Sequence, residues 1–378
     1  MDKSTLPQKI LEQIEIREKY LDAFRGCMIG GAAGDALGYP VEFMTADTIC
    51  EKYGPSGISN YQLDPRSGLA LISDDTQMSL FTADGLLVGQ TRRRLSGISA
   101  QPRYYVYLAY LDWLETQRGI EHGERISWLM DIQSLWSCRA PGATCLDALS
   151  SGKQGSTEQR INHSKGCGGV MRVAPVGLLL HGKSFEDADM EGAEVAALTH
   201  SHSLGFMPAA FLTHVIKRIT TQEGPIDLET VINEAIQMIS GLFAERKHLG
   251  AFIDLIERSV DYSKNQFSDS ENIPMIGAGW CGDEALAIAL YCSLRYKDDF
   301  SAAIRAAVNH SGDSDSTGGI TGNIVGAMVG YEAIDDCWKQ NLELRDTILE
   351  IADDLCYGCQ MSEHGTYKDE VWLSKYTR

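Results

Sequence analysis

Apolar residues recur at helical spacing along most of the chain. The segments 104–114, 285–294 and 301–308 are rich in Ala and Leu or carry apolar residues every three or four positions. Two-residue hairpin signals are scarce, and strand-like runs do not alternate with helical ones, so a parallel sheet is not expected. The pattern therefore predicts an all-α protein.

The N-terminal segment is amphipathic, with apolar residues interspersed among charged ones. These apolar residues are Ile10, Leu11, Ile14 and Ile16. We interpret residues 1–20 as a helical extension and residues 21–378 as one large domain, because two acidic clusters that could form one site lie at opposite ends of the chain.

A second stretch, 222–275, departs from the general pattern because it holds many charged residues. We expect helices there, with an exposed loop over the polar segment 263–272.

Two segments carry a glycine at every fourth residue. The first set is Gly26, Gly30, Gly34 and Gly38, and the second is Gly318, Gly322, Gly326 and Gly330. On a helix, this spacing places each set along nearly one face. A glycine inside a helix costs about 1 kcal/mol, and close approach of two backbones would offset that cost. We predict that the two helices touch. The alternative is that the glycines break both segments into loops.

The charge balance limits the classes of partner. The formal net charge is −19, from 33 basic and 52 acidic side chains, which disfavours nucleic acid and anionic membrane surfaces. No apolar run reaches ~18 residues, and the N-terminus is too charged for a signal peptide, so no membrane span is expected. The ten cysteines include a single CxxC pair, Cys356 and Cys359, and indicate free thiols in a reducing, cytoplasmic setting.

Acidic clusters precede two of the predicted helices. Ser73-Asp74-Asp75-Thr76 comes before one apolar-periodic segment, and Asp313-Ser314-Asp315-Ser316-Thr317 comes before the second glycine segment. Carboxylates beside hydroxyls are the oxygen ligands that Mg²⁺ prefers. The alternative is helix capping, for which one Ser or Asp is enough. If the glycine helices run antiparallel, Glu42 approaches Asp313 and Asp315, and the metal-binding interpretation gains weight.

A glycine-rich loop offers backbone N–H groups for an anion. It runs from Lys165 through Gly166, Cys167, Gly168 and Gly169 to Arg172, and it matches neither standard phosphate-loop pattern. The loop could hold a phosphate with help from Lys165, or it could be a tight turn between helices. We expect Arg172 to be a structural ion-pair partner. His200 and His202 suit polar contact with a substrate or structural hydrogen bonds better than Mg²⁺ binding.

Together these motifs resemble the ADP-ribosylglycohydrolase family. The resemblance rests on seven stretches in the family's order: GCMIGGAAGDALGYPVEF (26–43), SDDTQMSL (73–80), APGATCLDAL (140–149), KGCGGVMRVAPVGLL (165–179), LTHSHSLGF (198–206), GDEALAIAL (282–290) and HSGDSDSTGGITGNIVGAMVG (310–330). It implies a single orthogonal multi-helix domain with a central cleft that holds two Mg²⁺ ions. It also implies hydrolysis of the glycosidic bond between ADP-ribose and a protein side chain, arginine being the favoured linkage.

The resemblance also assigns roles to residues. By motif, Ser73, Asp74 and Asp75 would bind one ion with Asp315 bridging, and Asp313, Asp315 and Ser316 would bind the other. Glu42 would approach the metals. From the chemistry of the bond cleavage, we expect Asp74 or Asp75 to take the proton of the attacking water, and we count Glu42 as a third candidate catalytic residue. The loop residues Lys165, Gly166, Cys167, Gly168 and Gly169 would contact the diphosphate, and His200 the ribose region.

The chain departs from the family pattern at two of these positions. Ser73 stands where many members have Thr, which preserves the oxygen ligand. The loop reads GCGG where the form GNG is common, so its contacts are open. Three aromatic residues are candidates for stacking on adenine: Phe206, Trp280 and Tyr291.

Other functions are compatible with the same residues. The protein could be an immunity protein that binds and blocks an ADP-ribosylating toxin through residues 1–20, with or without hydrolase activity. A non-catalytic relative of the family and an unrelated Mg²⁺-dependent phosphate-ester hydrolase are further alternatives, which the complete acidic set and the number of matching motifs disfavour.

Overall fold

The computed structural model describes residues 7–97, 100–120, 123–179 and 182–378. Within these ranges the chain forms eighteen α-helices joined by turns and short 3-10 segments, and its β-pairing is limited to isolated bridges. The all-α prediction is confirmed. In chain order the helices are α1 (Gln8–Glu18), α2 (Leu21–Gly38), α3 (Ala46–Tyr53), α4 (Asp74–Ser96), α5 (Pro102–Arg118), α6 (Ala143–Ser150), α7 (Ala174–Leu179), α8 (Phe185–Ala197), α9 (Ser203–Thr221), α10 (Leu228–Leu242), α11 (Leu249–Lys264), α12 (Asp269–Ile276), α13 (Gly282–Arg295), α14 (Phe300–Val308), α15 (Ser314–Val329), α16 (Asp336–Lys339), α17 (Arg345–Tyr357) and α18 (Glu370–Tyr376).

Helices α2 and α15 form the centre of the molecule and lie backbone to backbone. A Cβ atom added to Gly30 would stand 2.3 Å from the carbonyl oxygen of Gly322, and one added to Gly34 would stand 2.0 Å from that of Gly318. The paired residue numbers rise along one helix as they fall along the other, so the helices are antiparallel. The predicted helix contact is therefore confirmed.

The last glycine of the second set has a different place from the one we expected. Gly330 lies beyond the end of α15 with φ of 81°, a left-handed backbone conformation that favours glycine. A Cβ atom on Gly330 would meet the carboxylate of Asp22, at the start of α2, while the carbonyl carbon of Gly330 still lies against Gly26 of the first set.

The antiparallel arrangement brings the end of α2 to the start of α15. A Cβ atom on Gly38 would lie 2.3 Å from the carbonyl oxygen of Ser314. The chain then turns through a 3-10 segment, Tyr39–Val41, which places Glu42 beside the first turn of α15. The first turn of α4 reaches the same point, because Asp35 of α2 accepts a hydrogen bond from the backbone N–H of Ser73.

The N-terminal helix packs on the rest of the chain. Ile14 of α1 is fully buried, whereas Ile16 is 63% exposed, so only part of the expected apolar face is used. Arg17 donates hydrogen bonds to the carbonyl oxygens of Cys356 and Tyr357 at the end of α17. Residues 1–6 of the predicted extension lie outside the described residues. The division into 1–20 and 21–378 stays a prediction.

The exposed loop predicted over 263–272 is shorter than expected. Helix α11 continues to Lys264, and α12 begins at Asp269. Ser268 and Glu271 form a capping box, in which each side chain accepts a hydrogen bond from the other residue's backbone N–H group. The polar residues that we interpreted as loop are in part this helix start.

Two expectations concern the environment of the chain. No helix in the described ranges is both long and apolar enough to cross a membrane. The ten cysteines are free thiols, and both members of the CxxC pair are buried.

Candidate metal centre

The first turns of α4 and α15 face each other across the end of α2. The hydroxyl of Ser73 caps α4 by accepting the N–H of Asp75 at 3.1 Å. The carboxylate of Asp313 caps α15 by accepting the N–H of Ser316 at 3.3 Å. Both acidic clusters therefore act as helix caps, as the alternative interpretation expected, and their remaining carboxylates converge on one place. The positive end of each helix dipole favours negative charge there.

Asp35 holds the first turn of α4 in position, and sequence analysis missed this residue. Its carboxylate accepts hydrogen bonds from the N–H of Ser73 and the N–H of Thr76, each at 3.1 Å, and from the hydroxyl of Thr76. Burial, and then the charge of Asp315, raise the pKa of Asp35 to about 7. The available signal was a carboxylate inside an otherwise Gly/Ala-rich helix.

Three further carboxylates form the tightest part of the site. Glu42, Asp313 and Asp315 each place a carboxylate oxygen within 4.8 Å of the others, and all three are buried. The predicted approach of Glu42 to Asp313 and Asp315 is thus present in the structure. Burial first, and then the charges of Asp315 and Asp313, raise the pKa of Glu42 to about 10. Carboxylates so close together repel unless protons or cations lie between them.

Two buried oxygens at this site lack hydrogen-bond partners in the described part of the chain. They are Oε2 of Glu42 and Oδ2 of Asp75. Burial, and then the charges of Asp315 and Asp74, raise the pKa of Asp75 well above its usual value. Buried polar atoms without a protein partner indicate a ligand, and hard cations fit a cluster of carboxylate and hydroxyl oxygens. The residues present therefore fit divalent metal ions.

Asp74 links the first acidic cluster to the backbone before α6, and Ser73 links it to the second acidic cluster. Asp74 accepts the N–H of Gly142 at 3.1 Å, which fixes one of its carboxylate oxygens. The hydroxyl of Ser73 also contacts Asp315, where it favours the charged form of that carboxylate. A water-sized cavity of about 10 Å³ lies beneath the cluster, lined in part by Asp35 and Asp75.

The glycine-rich loop lies beside Asp313. Cys167–Gly169 forms one 3-10 turn, and the N–H of Cys167 donates to the carbonyl oxygen of Trp280 at 3.2 Å. The thiol of Cys167 contacts the carboxylate of Asp313 and the hydroxyl of Ser316. Lys165 is exposed and directs its ammonium group to the thiol of Cys281. The loop is therefore a tight turn whose third residue reaches the carboxylates.

His200 lies beneath this loop and is 2% exposed. A Cβ atom on Gly168 would stand 2.8 Å from Cε1 of His200, and Nδ1 of the imidazole lies 2.9 Å from the hydroxyl of Thr199. Burial, and then the charge of Arg172, lower the pKa of His200 to about 3, so the ring is neutral at physiological pH. In this structure His200 supports the loop, and its contact with a ribose stays a prediction.

Arg172 is structural, but it is not the ion-pair partner that we expected. Its fully buried guanidinium stacks 4.4 Å from the ring of Tyr110 and donates to the hydroxyl of Thr199 at 2.6 Å. It pairs with no carboxylate among the described residues. Cation–π stacking and hydrogen bonds to neutral groups take the place of the ion pair.

Of the three aromatic candidates for adenine stacking, two are inaccessible. Phe206 and Tyr291 are buried, because both belong to helices whose apolar faces form the core. Trp280 is 43% exposed and stacks on Phe43, which is 75% exposed, with ring centroids 5.8 Å apart. This pair lies at the site because Phe43 comes directly after Glu42 and the carbonyl of Trp280 binds the loop at Cys167.

Comparisons with known proteins agree with this arrangement. A family model described as ADP-ribosylglycohydrolase matches residues 16–365. The chain is 23% identical to the ADP-ribosylhydrolase ARH3 of Mus musculus, over 85% of this chain and 88% of that protein. It is 23% identical to the ADP-ribosylarginine hydrolase Tri1 of Serratia proteamaculans, over 89% of this chain and 80% of that protein. A solved structure described as an ADP-ribosylglycohydrolase-related protein complex superposes with a TM-score of 0.63 at 21% identity, covering 90% and 98% of the two chains, and shares the fold.

Proposed function

Because the chain belongs to the ADP-ribosylglycohydrolase family, we propose that it hydrolyses the glycosidic bond between ADP-ribose and a protein side chain, with two Mg²⁺ ions and with arginine as the preferred linkage. The family supports hydrolysis of ADP-ribose linkages in general. The arginine preference is supported by the relative from Serratia proteamaculans, which is an ADP-ribosylarginine hydrolase. The ten free cysteines support action in a reducing compartment such as the cytoplasm.

The observation that carries the proposal is the group of buried carboxylates with unpartnered oxygens. One Mg²⁺ ion would be held by Ser73, Asp74, Asp75 and Asp315, and the other by Asp313, Asp315 and Ser316. When bound, the ions supply positive charge that orients the ribose hydroxyls and a water molecule and attracts the anionic diphosphate to this acidic protein.

The two candidate bases differ in their surroundings. Oδ2 of Asp74 accepts the N–H of Gly142, whereas Oδ2 of Asp75 lacks a hydrogen-bond partner among the described residues. Asp75 therefore has an acceptor available for the proton of the attacking water, and we assign it as the general base. Asp74 orients the turn that carries Asp75. Cleavage at ribose C1″ develops oxocarbenium character, which nearby carboxylates stabilise.

The glycine-rich turn has a narrower role than a full phosphate cradle. Gly168 and Gly169 are buried, whereas Gly166 and Cys167 are half-buried, so the first half of the turn is the part that a diphosphate would meet. Lys165 lies on the exposed side of the turn, where its charge attracts the anionic nucleotide. His200 keeps the turn in place from below.

The experiment that tests the proposal measures release of ADP-ribose from arginine-linked and serine-linked protein substrates. We expect release with Mg²⁺, none with EDTA, and a loss of at least ~100-fold in the rate for Asp75→Asn, the lower end for a missing general base. Release from the serine-linked substrate alone would contradict the arginine preference. Release by wild type in EDTA would contradict the metal site.

A further inference from the structure

Glu343 and Arg139 form an ion pair beside the first turn of α4. Nη2 of Arg139 lies 3.0 Å from Oε1 of Glu343, and the two side chains are 15% and 7% exposed. Neither residue belongs to the acidic clusters, and they are 204 positions apart in sequence. A pair this well buried loses much of its hydration, so it needs close geometry and further hydrogen bonds to persist. Those further hydrogen bonds lead to the metal centre.

Both members of the pair also hold the backbone that enters α4. Oε2 of Glu343 accepts the N–H of Ile72 at 3.1 Å. The carbonyl oxygen of Arg139 accepts the N–H of Asp74 at 3.0 Å. The ion pair therefore joins two segments that each bind the same short stretch of backbone.

The N–H group between these two belongs to Ser73, and the carboxylate of Asp35 accepts it at 3.1 Å. Residues 72–74 thus present three consecutive N–H groups, and each is bound by a different part of the chain. This stretch cannot move without breaking hydrogen bonds on several sides. Side chains that it carries are therefore held in position by groups outside the metal centre.

The segment that carries Glu343 is itself fixed by its surroundings. Asn341 and Leu344 have φ of 57° and 60°, a left-handed conformation that residues with side chains rarely adopt. The N–H of Ala70 donates to the carbonyl oxygen of Asn341 at 2.7 Å, and the N–H of Glu343 donates to that of Ala70 at 3.0 Å. Such a conformation persists only where neighbouring contacts stabilise it. The pairing with Ala70 therefore fixes where the carboxylate of Glu343 lies.

We infer that Glu343 and Arg139 are positioning residues of the metal centre. They hold the backbone of residues 72–74, so that the side chains of the acidic cluster at the start of α4 keep the spacing that divalent ions need. Groups that orient metal ligands without touching the ion change metal affinity by roughly 10–100-fold when they are lost. The inference rests on the metal site of the proposed function, but not on its substrate or its linkage.

The test is a calorimetric titration of the metal-free, full-length protein with Mg²⁺. In Glu343→Gln, an NH₂ group replaces one carboxylate oxygen and faces a donor, either the guanidinium of Arg139 or the N–H of Ile72. At least one of these hydrogen bonds is then lost. We expect the affinity for Mg²⁺ to fall at least ~10-fold.

Asp353→Asn is the matched control, because it makes the same chemical change in another ion pair. Asp353 of α17 accepts two hydrogen bonds from Arg25 of α2, at 2.6 and 2.7 Å. Arg25 lies near the start of α2, whereas the metal centre lies at its end. The control should bind Mg²⁺ with the affinity of wild type. Wild-type affinity in Glu343→Gln, or an equal loss in Asp353→Asn, would overturn the inference.

Two variants of Arg139 examine the other member of the pair. Arg139→Met removes the cation and leaves the carboxylate of Glu343 buried without it, so Mg²⁺ affinity should fall. Arg139→Lys keeps a cation beside Glu343 and should retain more affinity than Arg139→Met, and the reverse order would contradict the role of the pair. Far-ultraviolet circular dichroism verifies that each variant folds.

Activity gives a readout that a general loss of structure would not mimic. In Glu343→Gln, the Mg²⁺ concentration for half-maximal release of ADP-ribose should rise, and kcat at saturating Mg²⁺ should stay close to that of wild type. Weaker Mg²⁺ binding by this variant, without release of ADP-ribose by wild type, would support the positioning role and count against the hydrolase. Mg²⁺-dependent release by wild type, with unchanged affinity in the variant, would do the reverse. Absence of Mg²⁺ binding by wild type would overturn both.

Discussion

Gly30 and Gly322 touch through their backbones, and a Cβ atom on Gly30 would stand 2.3 Å from the carbonyl oxygen of Gly322. Real side chains do not tolerate this distance, so the two central helices would have to separate. Because the same helices carry Glu42 and Asp315 to the site, the glycine contact sets the geometry of the metal centre as well as the packing of the core.

Replacement of Gly30 by Ala should therefore destabilise the protein. We expect the free energy of unfolding to fall by about 3 kcal/mol or more, at the upper end for overpacked cores, because backbone atoms cannot rotate away. Gly250→Ala is the matched control, since Gly250 lies in α11 with open space around it, and it should stabilise by up to about 1 kcal/mol. Urea unfolding measures the stability of both variants. Equal changes in the free energy of unfolding would contradict the backbone contact between Gly30 and Gly322.

Asp35 should control metal affinity without being a ligand. Both carboxylate oxygens of Asp35 accept hydrogen bonds from backbone N–H groups. In Asp35→Asn, an NH₂ group replaces one of these oxygens in either orientation of the amide. A donor then faces a donor, and at least one of the hydrogen bonds is lost. The turn that carries Asp74 and Asp75 then shifts. We expect Mg²⁺ affinity to fall about 10–100-fold, as for other groups that orient metal ligands. Calorimetric titration measures this, with the exposed Asp47→Asn as control, and unchanged affinity would refute the role.

Asp315→Asn should be more stable than wild type without divalent ions and less stable than wild type with them. In EDTA, Asp315→Asn should be more stable than wild type, because it removes a charge that raises the pKa of Glu42, Asp75 and Asp35. With Mg²⁺, wild type should gain about 2.7 kcal/mol at 100 times the dissociation constant, and the variant should gain little. Thermal unfolding in both conditions gives the comparison. A destabilised variant in EDTA would show that repulsion does not dominate the empty site.

Asp84 is a buried carboxylate outside the metal centre, and it should make the free energy of unfolding fall as the pH rises. Burial raises the pKa of Asp84, on α4, to about 8, above its value of about 3.9 in the unfolded chain. The folded state therefore binds this proton more tightly than the unfolded chain does. The contribution of the protonated carboxyl to the free energy of unfolding is complete below pH ~3.9 and is lost as the pH rises towards 8.

Asp84→Asn removes the titration, and it should be more stable than wild type at pH 9 and nearly equal at pH 4. Urea unfolding across this range measures the difference, with the exposed Asp254→Asn of α11 as control. The same offset at both pH values would show that Asp84 does not titrate on unfolding.

The sequence by itself determined the helical fold and the contact between the glycine helices. The meeting of Glu42 with Asp313 and Asp315 followed from it only on the condition that these helices run antiparallel, which the structure supplied. The first two features arise from spacing, because residues four apart share one face of a helix, and two stripes of glycine allow two helices to pack closely. The apolar periodicity that follows each acidic cluster also predicted that both clusters lie at the start of a helix.

Only the tertiary structure decided which groups face one another across the chain. It placed Asp35 beneath Ser73, brought the thiol of Cys167 to Asp313, and gave Arg172 an aromatic ring where an ion pair was expected. These contacts join segments distant in sequence, and no local pattern encodes their pairing. Burial then fixed the pKa values, because the cost of a buried charge depends on every element packed around it.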